Sequence, residues 1–261
     1  MNIRGVEIGG SAPCRFVAEL GNAHNGDRDR MGRLIDAAKA AGADFVKTQC
    51  YLPSELVSLR GDGPAPEPWG SQGWSMRDLY TKAATPFEWF PKIKEHCERV
   101  GIPWFSSVFG EESMRLLRSL DCSAYKIAAL DAKVLHIQTV ARMAGRPVIV
   151  SRTEPATIYN GYRDDATLYA PPGYPQTHFG FADVPFVGRF DYEHDDPFDG
   201  FSYHGTSIEP PVVAATLGAK LIECHMMLWD EPSELEANVS LTEIQFGEMI
   251  RRVREVEAML A

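Results

Sequence analysis

One phrase recurs along this chain and restricts its fold more than any other feature. A short apolar run ends in a polar side chain, and a helical segment follows. The first instance is Val17-Ala18-Glu19-Leu20-Gly21-Asn22-Ala23-His24-Asn25-Gly26. Asp27 then stands as a helix cap, Met31, Leu34, Ile35, Ala38 and Ala41 recur at helical spacing, and Gly42 stops the helix. The second run, Ala43-Asp44-Phe45-Val46, ends at Lys47-Thr48-Gln49. Later runs at 102–106, 123–127 and 146–151 end at Ser106-Ser107, Lys126 and Ser151, with helices expected over 88–100, 111–120 and 132–144. Regular strand–helix alternation predicts a parallel sheet with right-handed crossovers.

Three further strands are predicted at 166–169, 198–202 and 220–225, with helices at 208–217 and 241–260. The sixth unit is weak, because Ser151 to Thr167 is too short for a full helical crossover. Eight units imply an α/β fold, a (β/α)8 TIM barrel in one domain over 1–261. Residues 3–9 and 15–20 read as short strands around Gly9-Gly10-Ser11, with 1–14 a hairpin leading into the barrel. Residues 52–84, rich in proline, read as an irregular loop insertion. Residues 178–199, rich in aromatics, aspartate and histidine, receive no assignment beyond the start of the 198–202 strand.

A net charge of −10 argues against nucleic acid or an anionic membrane as partner. The 5 cysteines, Cys14, Cys50, Cys97, Cys122 and Cys224, contain no CxxC pair and are expected to be reduced and mostly buried. No leader-like start and no long apolar span is evident, so a cytoplasmic location is expected.

Chemistry is expected at the carboxyl ends of the strands, where barrels build their sites. His204 and His225 close the seventh and eighth predicted strands. A strand-end histidine taken singly is more often structural, but a pair on consecutive strands suits one shared divalent ion. His24 is a third candidate; His96 and His136 lie on predicted helices, and His178 and His194 in the unassigned segment. Lys47 and Lys126 need either an anionic ligand or a carboxylate such as Glu19 or Asp131. The hydroxyls of Ser107, Ser151 and Ser202 suit phosphate oxygens, and Arg152 would add charge. Glu19, Asp131 and Glu223 are the carboxylates best placed for proton transfer, and Glu223 shares a strand face with His225. No P-loop, GxSxG elbow or HExxH motif is present.

These residues resemble the N-acetylneuraminate (sialic acid) synthase family, which joins phosphoenolpyruvate to an aldose. The likeness runs from about Val6 to Leu260. It is carried by residues 18–26 and 42–49, Tyr125-Lys126-Ile127-Ala128, Tyr174-Pro175, Ser202-Tyr203-His204-Gly205-Thr206 and residues 217–225. The resemblance implies that His204 and His225 hold a divalent ion, usually manganese, with magnesium or another ion as alternatives. It implies that Lys47, Lys126, Ser107, Ser151 and Ser202 hold phosphoenolpyruvate. Glu19 would contact the acceptor sugar, and the motif residues Asn22, His24, Gln49 and Tyr174 would join the substrate-binding set. Asp131 stands where the family has a glutamate that handles water. His225 would also take part in the chemistry.

The sequence departs from the family pattern at Ala129, Pro172, Ser151-Arg152-Thr153 and Glu234-Leu235-Glu236-Ala237. Arg152 is the expected replacement for lost phosphate contacts, and an acceptor other than N-acetylmannosamine is expected. The family's C-terminal antifreeze-like domain is not expected here, and a homodimer formed through the barrel loops is. Two other readings are a barrel using the same site for different carbon–carbon or isomerase chemistry, and a non-catalytic barrel that binds a small ligand. Retention of Glu19, both lysines and both strand-end histidines weighs against the last.

Overall fold

The computed structural model describes residues 1–154, 158–159, 162–182, 184, 186 and 197–260. The barrel strands are β1 (Arg15–Glu19), β2 (Phe45–Cys50), β3 (Trp104–Val108), β4 (Tyr125–Ile127), β5 (Val148–Arg152), β6 (Ala166–Tyr169), β7 (Gly200–Tyr203) and β8 (Leu221–Met227). Each pairs in parallel with the next, and β8 pairs with both β7 and β1, so the sheet closes into an eight-stranded parallel barrel. A short ninth strand, β9 (Ser240–Thr242), joins the upper part of β8 in parallel.

The outer helices are α1 (Arg28–Ala40), α2 (Pro53–Arg60), α3 (Met76–Ala83), α4 (Phe90–Val100), α5 (Glu111–Ser119), α6 (Leu135–Arg142), α7 (Glu209–Thr216) and α8 (Glu243–Leu260). Helix α1 begins where expected: the Asp27 side chain accepts hydrogen bonds from the N–H groups of Asp29 and Arg30. It buries Met31, Leu34, Ile35 and Ala38, one stripe at helical spacing, against the barrel. All five cysteines are free and buried.

Two local expectations are corrected. The N-terminal hairpin is tighter than predicted: Asn2–Ile3 pairs antiparallel with Val6–Glu7. Its turn is Arg4-Gly5, both at positive φ, which matches the twist of adjacent strands in a two-residue loop. Residues 52–84 are not irregular, because α2 and α3 lie within them. Pro53 opens α2, where a missing N–H costs nothing, and Ser75 caps α3 in a reciprocal box with Asp78. The prolines at 64–68 therefore separate two helices. Between β5 and β6, the described residues contain a small antiparallel pair, Ile158–Tyr159 with Tyr162–Arg163, in place of a helix.

Strand alternation sorts the side chains into two layers. Phe45, Phe105, Ile149, Leu168 and Leu221 are fully buried and share the faces that carry the polar residues nearer the mouth. They fill the lower barrel. The outward faces carry Thr48, whose Oγ1 meets Ser106 Oγ at 3.1 Å and accepts from Trp104 Nε1 at 2.9 Å.

Candidate active site

Register sets the polar centre. His225 lies opposite Glu19, and Glu19 opposite Lys47, so three neighbouring strands present these side chains at one level. Ser107 is opposite Lys126, and Ser202 opposite Glu223. The Lys47 ammonium contacts the Glu19 carboxylate, donates to Ser107 Oγ at 3.0 Å and lies 3.6 Å from Glu223 Oε1. Lys126 donates to Ser151 Oγ at 2.6 Å and lies 3.6 Å from the same Glu223 oxygen. Ser202 Oγ donates to that oxygen at 3.0 Å. Both expected lysines and all three expected serines therefore converge, with Glu223 between the two cations.

Every member of this cluster is buried, so charge balance governs its protonation. Burial opposes the charge on Lys47, but Glu19 and Glu223 outweigh it and raise its pKa. Lys126 has no such close carboxylate. Burial and the Lys47 charge bring it down to about 8, against the pull of Glu223. Burial would raise Glu223, yet Lys126, Lys47 and the Ser202 hydroxyl hold it at about 2. Glu223 Oε2 is buried and has no hydrogen-bond partner among the described residues. The Gln49 amide also makes no hydrogen bond to the described residues, and its strand parity places it on the Lys47 face.

Above this centre sit the two strand-end imidazoles, their ring centroids 5.2 Å apart. His225 Nδ1 lies 3.3 Å from Glu236 Oε2. Burial works against the charge on His225, but Glu236, with help from Glu19, raises its pKa. The carboxylate orients this ring with Nε2 toward the site, as a supporting carboxylate does for a metal-binding histidine. His204 differs. Burial and the neighbouring His225 bring it down to about 3, and its Nδ1 faces the Gln176 side-chain amide nitrogen at 3.1 Å.

Glu236 and Gln176 are the functional residues that strand-end reasoning missed. Both lie in loops, where neither alternation nor helical spacing marks a direction. Glu236 also accepts from Tyr174 Oη at 2.8 Å and from the Asn22 N–H at 3.3 Å. Its carboxyl is held at about 2: burial acts upward, while His225, Tyr174 and Asn22 act downward more strongly. Tyr174 lies over the mouth, 5.2 Å from His204 and 6.2 Å from His225 by ring centroids. The chain approaches Glu236 closely at Gly21, whose φ is +43°; a β-carbon there would come within 2.5 Å of Glu236 Oε2.

Three expected site residues, Arg152, Asp131 and His24, are engaged elsewhere, and the Asn22 side chain is taken up between two loops. Arg152 does not join the lysines. It follows Ser151 on the same strand, so it faces the opposite layer, where Nε and Nη2 donate to Asp164 Oδ2 at 2.9 and 2.7 Å. Asp131 pairs with Arg60 of α2 at 2.6 Å, not with either lysine. His24 is buried in loop contacts. Its Nδ1 accepts from the Gly26 N–H at 2.9 Å and its Nε2 meets Thr85 Oγ1 at 3.2 Å, which leaves neither nitrogen for a ligand. Burial lowers its pKa to about 4. Asn22 Oδ1 accepts from Ser233 Oγ at 3.0 Å and so ties the β1 and β8 loops together. His194 lies outside the described residues.

The α2–α3 segment walls one side of the mouth. Tyr51, Leu56, Tyr80 and Phe109 form a second apolar cluster, and the Arg60 guanidinium sits 5.6 Å above the Phe109 ring. That stacking positions Arg60 against Asp131.

Paired lysines, hydroxyls and carboxylates gathered inside the carboxyl end of a closed parallel barrel lie where enzymes of this fold build their sites. The NeuB family profile matches residues 34–159 and 165–261, and the chain belongs to that family. A pseudaminic acid synthase of Campylobacter jejuni is 31% identical over 94% of this chain and 74% of its own length. The N-acetylneuraminate-9-phosphate synthase of Homo sapiens is 27% identical over 97% of this chain and 73% of its own. The spore coat polysaccharide biosynthesis protein SpsE of Bacillus subtilis superposes with a TM-score of 0.73 at 26% identity, covering 100% of this chain and 72% of that one. The sialic acid synthetase of Leptospira borgpetersenii, solved with citrate, shares the fold, with a TM-score of 0.81 at 21% identity, covering 100% and 90% of the two chains. The chain is thus an enzyme of a sugar-acid synthase family. No helix among the described residues is long and apolar enough to cross a membrane.

Proposed function

We propose that this enzyme condenses phosphoenolpyruvate with the aldehyde of an open-chain aldose, releasing phosphate and a 2-keto-3-deoxy sugar acid. The observation that carries the reading is the convergence of Lys47, Lys126, Ser107, Ser151 and Ser202 inside the barrel mouth. Two ammonium groups and three hydroxyls suit a small ligand with both phosphate and carboxylate groups. In the free protein Glu19 and Glu223 neutralise these lysines. An arriving anion therefore competes with built-in carboxylates, which holds the cations in place before it binds.

The enol carbon of the donor forms a bond to the aldehyde carbon, and the aldehyde oxygen takes a proton to become a hydroxyl. His225, its pKa raised chiefly by Glu236 against the cost of burial, is the acid placed to give that proton. Water then adds to the cationic carbon that carried the phosphate. Glu223 Oε2 is the acceptor for the water proton, since Asp131 is engaged by Arg60. Phosphate leaves with cleavage of its carbon–oxygen bond. Gln49 and Tyr174 line the remaining space toward the acceptor. The resemblance brings with it a divalent ion, manganese first. His225 offers a lone pair at Nε2 only in its neutral form, after it has given its proton, and His204 is set otherwise, so no step here depends on the ion.

Calorimetric titration tests the donor assignment. Phosphoenolpyruvate is expected to bind the wild type, and Lys126→Met is expected to weaken that binding by about 10–100-fold. Equal affinity in the two proteins would remove the lysines from the donor site.

A further inference from the structure

The Gln176 side chain is buried, and its amide orientation is fixed by main-chain partners. Its Oε1 accepts from the His204 N–H at 3.0 Å. Its Nε2 faces the carbonyl oxygens of Pro171 at 2.9 Å and Ser202 at 3.3 Å. Turning the amide over would set an oxygen against two carbonyls and a nitrogen against an N–H. The Gln176 N–H also donates to the His204 carbonyl at 2.8 Å, which closes a two-way clamp between the residues. The atom that this clamp presents to His204 Nδ1 is therefore a nitrogen that carries hydrogens.

The amide nitrogen has two hydrogens, and its two shorter contacts are Pro171 O at 2.9 Å and His204 Nδ1 at 3.1 Å, with Ser202 O farther at 3.3 Å, so the ring nitrogen is set to accept one of them. We infer that Gln176 fixes His204 as the tautomer protonated at Nε2, so that His204 offers the barrel mouth a hydrogen-bond donor, while only His225, in its neutral form, offers a lone pair. This rests on the site described above and refines it: the two imidazoles have different jobs. His225, backed by a carboxylate, is the nitrogen ready for a divalent cation. His204, backed by an amide N–H, is ready to hydrogen-bond an oxygen of the bound substrate. A cation held by both rings would first require the Gln176–His204 contact to break.

The test reads the ring itself. Nitrogen-15 spectra of the metal-free protein, with His204 assigned by comparison with His204→Ala, are expected to show a proton on Nε2 and none on Nδ1. Gln176→Met removes the donor at similar volume, and Gln176→Ala does so with room for water; in either, the Nε2 tautomer should lose its dominance. Manganese titration gives an independent readout. His225→Ala should weaken binding by about 10-fold or more, whereas His204→Ala should change it by no more than about 3-fold in the wild type. In the Gln176→Ala background, His204→Ala should also cost about 10-fold. A proton on His204 Nδ1 in the wild type, or loss of manganese binding in His204→Ala as large as in His225→Ala, would overturn the inference. The tautomer is read without substrate or metal, so its outcome is separate from that of the phosphoenolpyruvate titration.

Discussion

Replacing Lys47 with methionine gives the most informative perturbation. Lys47 is 4% exposed and touches Glu19, Ser107 and Glu223. Methionine preserves much of the volume but removes the charge. Glu19 then keeps its hydrogen bond from the Gly21 N–H at 2.7 Å and has no cation. Removing one partner of a buried ion pair costs about 3–5 kcal/mol, because the remaining charge stays out of water. At about 2–4 °C per kcal/mol for a domain near this size, the midpoint should fall by about 10 °C. Adding Glu19→Gln removes the stranded charge and should recover at least about 2 kcal/mol of the loss. Calorimetric unfolding of the wild type, both single variants and the double variant measures this directly. A single-variant loss under about 1 kcal/mol, or a double variant no more stable than Lys47→Met, would refute the view that these charges are buried and mutually compensated.

Three further outcomes are expected. Glu223 and Glu236 have carboxyl pKa values depressed from 4.5 to about 2, by Lys126 and Lys47 and by His225 respectively, each against the opposing effect of burial. Their stabilisation is therefore complete above about pH 4.5 and lost as pH falls toward 2, and urea midpoints should show a shallower acid limb in Glu236→Gln. Gly21→Ala should push Glu236 off His225 and lower kcat by about 10-fold, with a stability cost of about 1–2 kcal/mol from the positive φ; unchanged kcat would show that the Glu236 contact does not matter. Arg152→Met should destabilise the fold by about 3 kcal/mol by weakening compensation of buried Asp164, yet leave phosphoenolpyruvate affinity within about 2-fold in calorimetry. A large loss of affinity would return Arg152 to the donor site.

Alternation carried most of the site from sequence to structure. Lys47, Lys126, Ser107, Ser151, Ser202, His204, Glu223 and His225 sit at or near strand ends, and a period of two brings them to one mouth. The same rule argues against Arg152: adjacent residues of a strand face opposite layers, and Ser151 was already inward. Glu236 and Gln176 were illegible because their positions depend on loop paths closed by long-range contacts, from Tyr174 to Glu236 and from His204 to Gln176. The 52–84 segment was misread for another reason. Its prolines and glycines obscured two short helices that are held by their caps and by the Tyr51–Tyr80–Phe109 cluster, not by a long apolar stripe.

Phosphate release from phosphoenolpyruvate, measured against a panel of aldoses with and without manganese, tests the central claim most directly. The account predicts inorganic phosphate only when donor and an aldehyde are both present, with an equal amount of keto acid formed. Phosphate release independent of any aldehyde, or none across the panel together with no measurable binding of phosphoenolpyruvate, would contradict it.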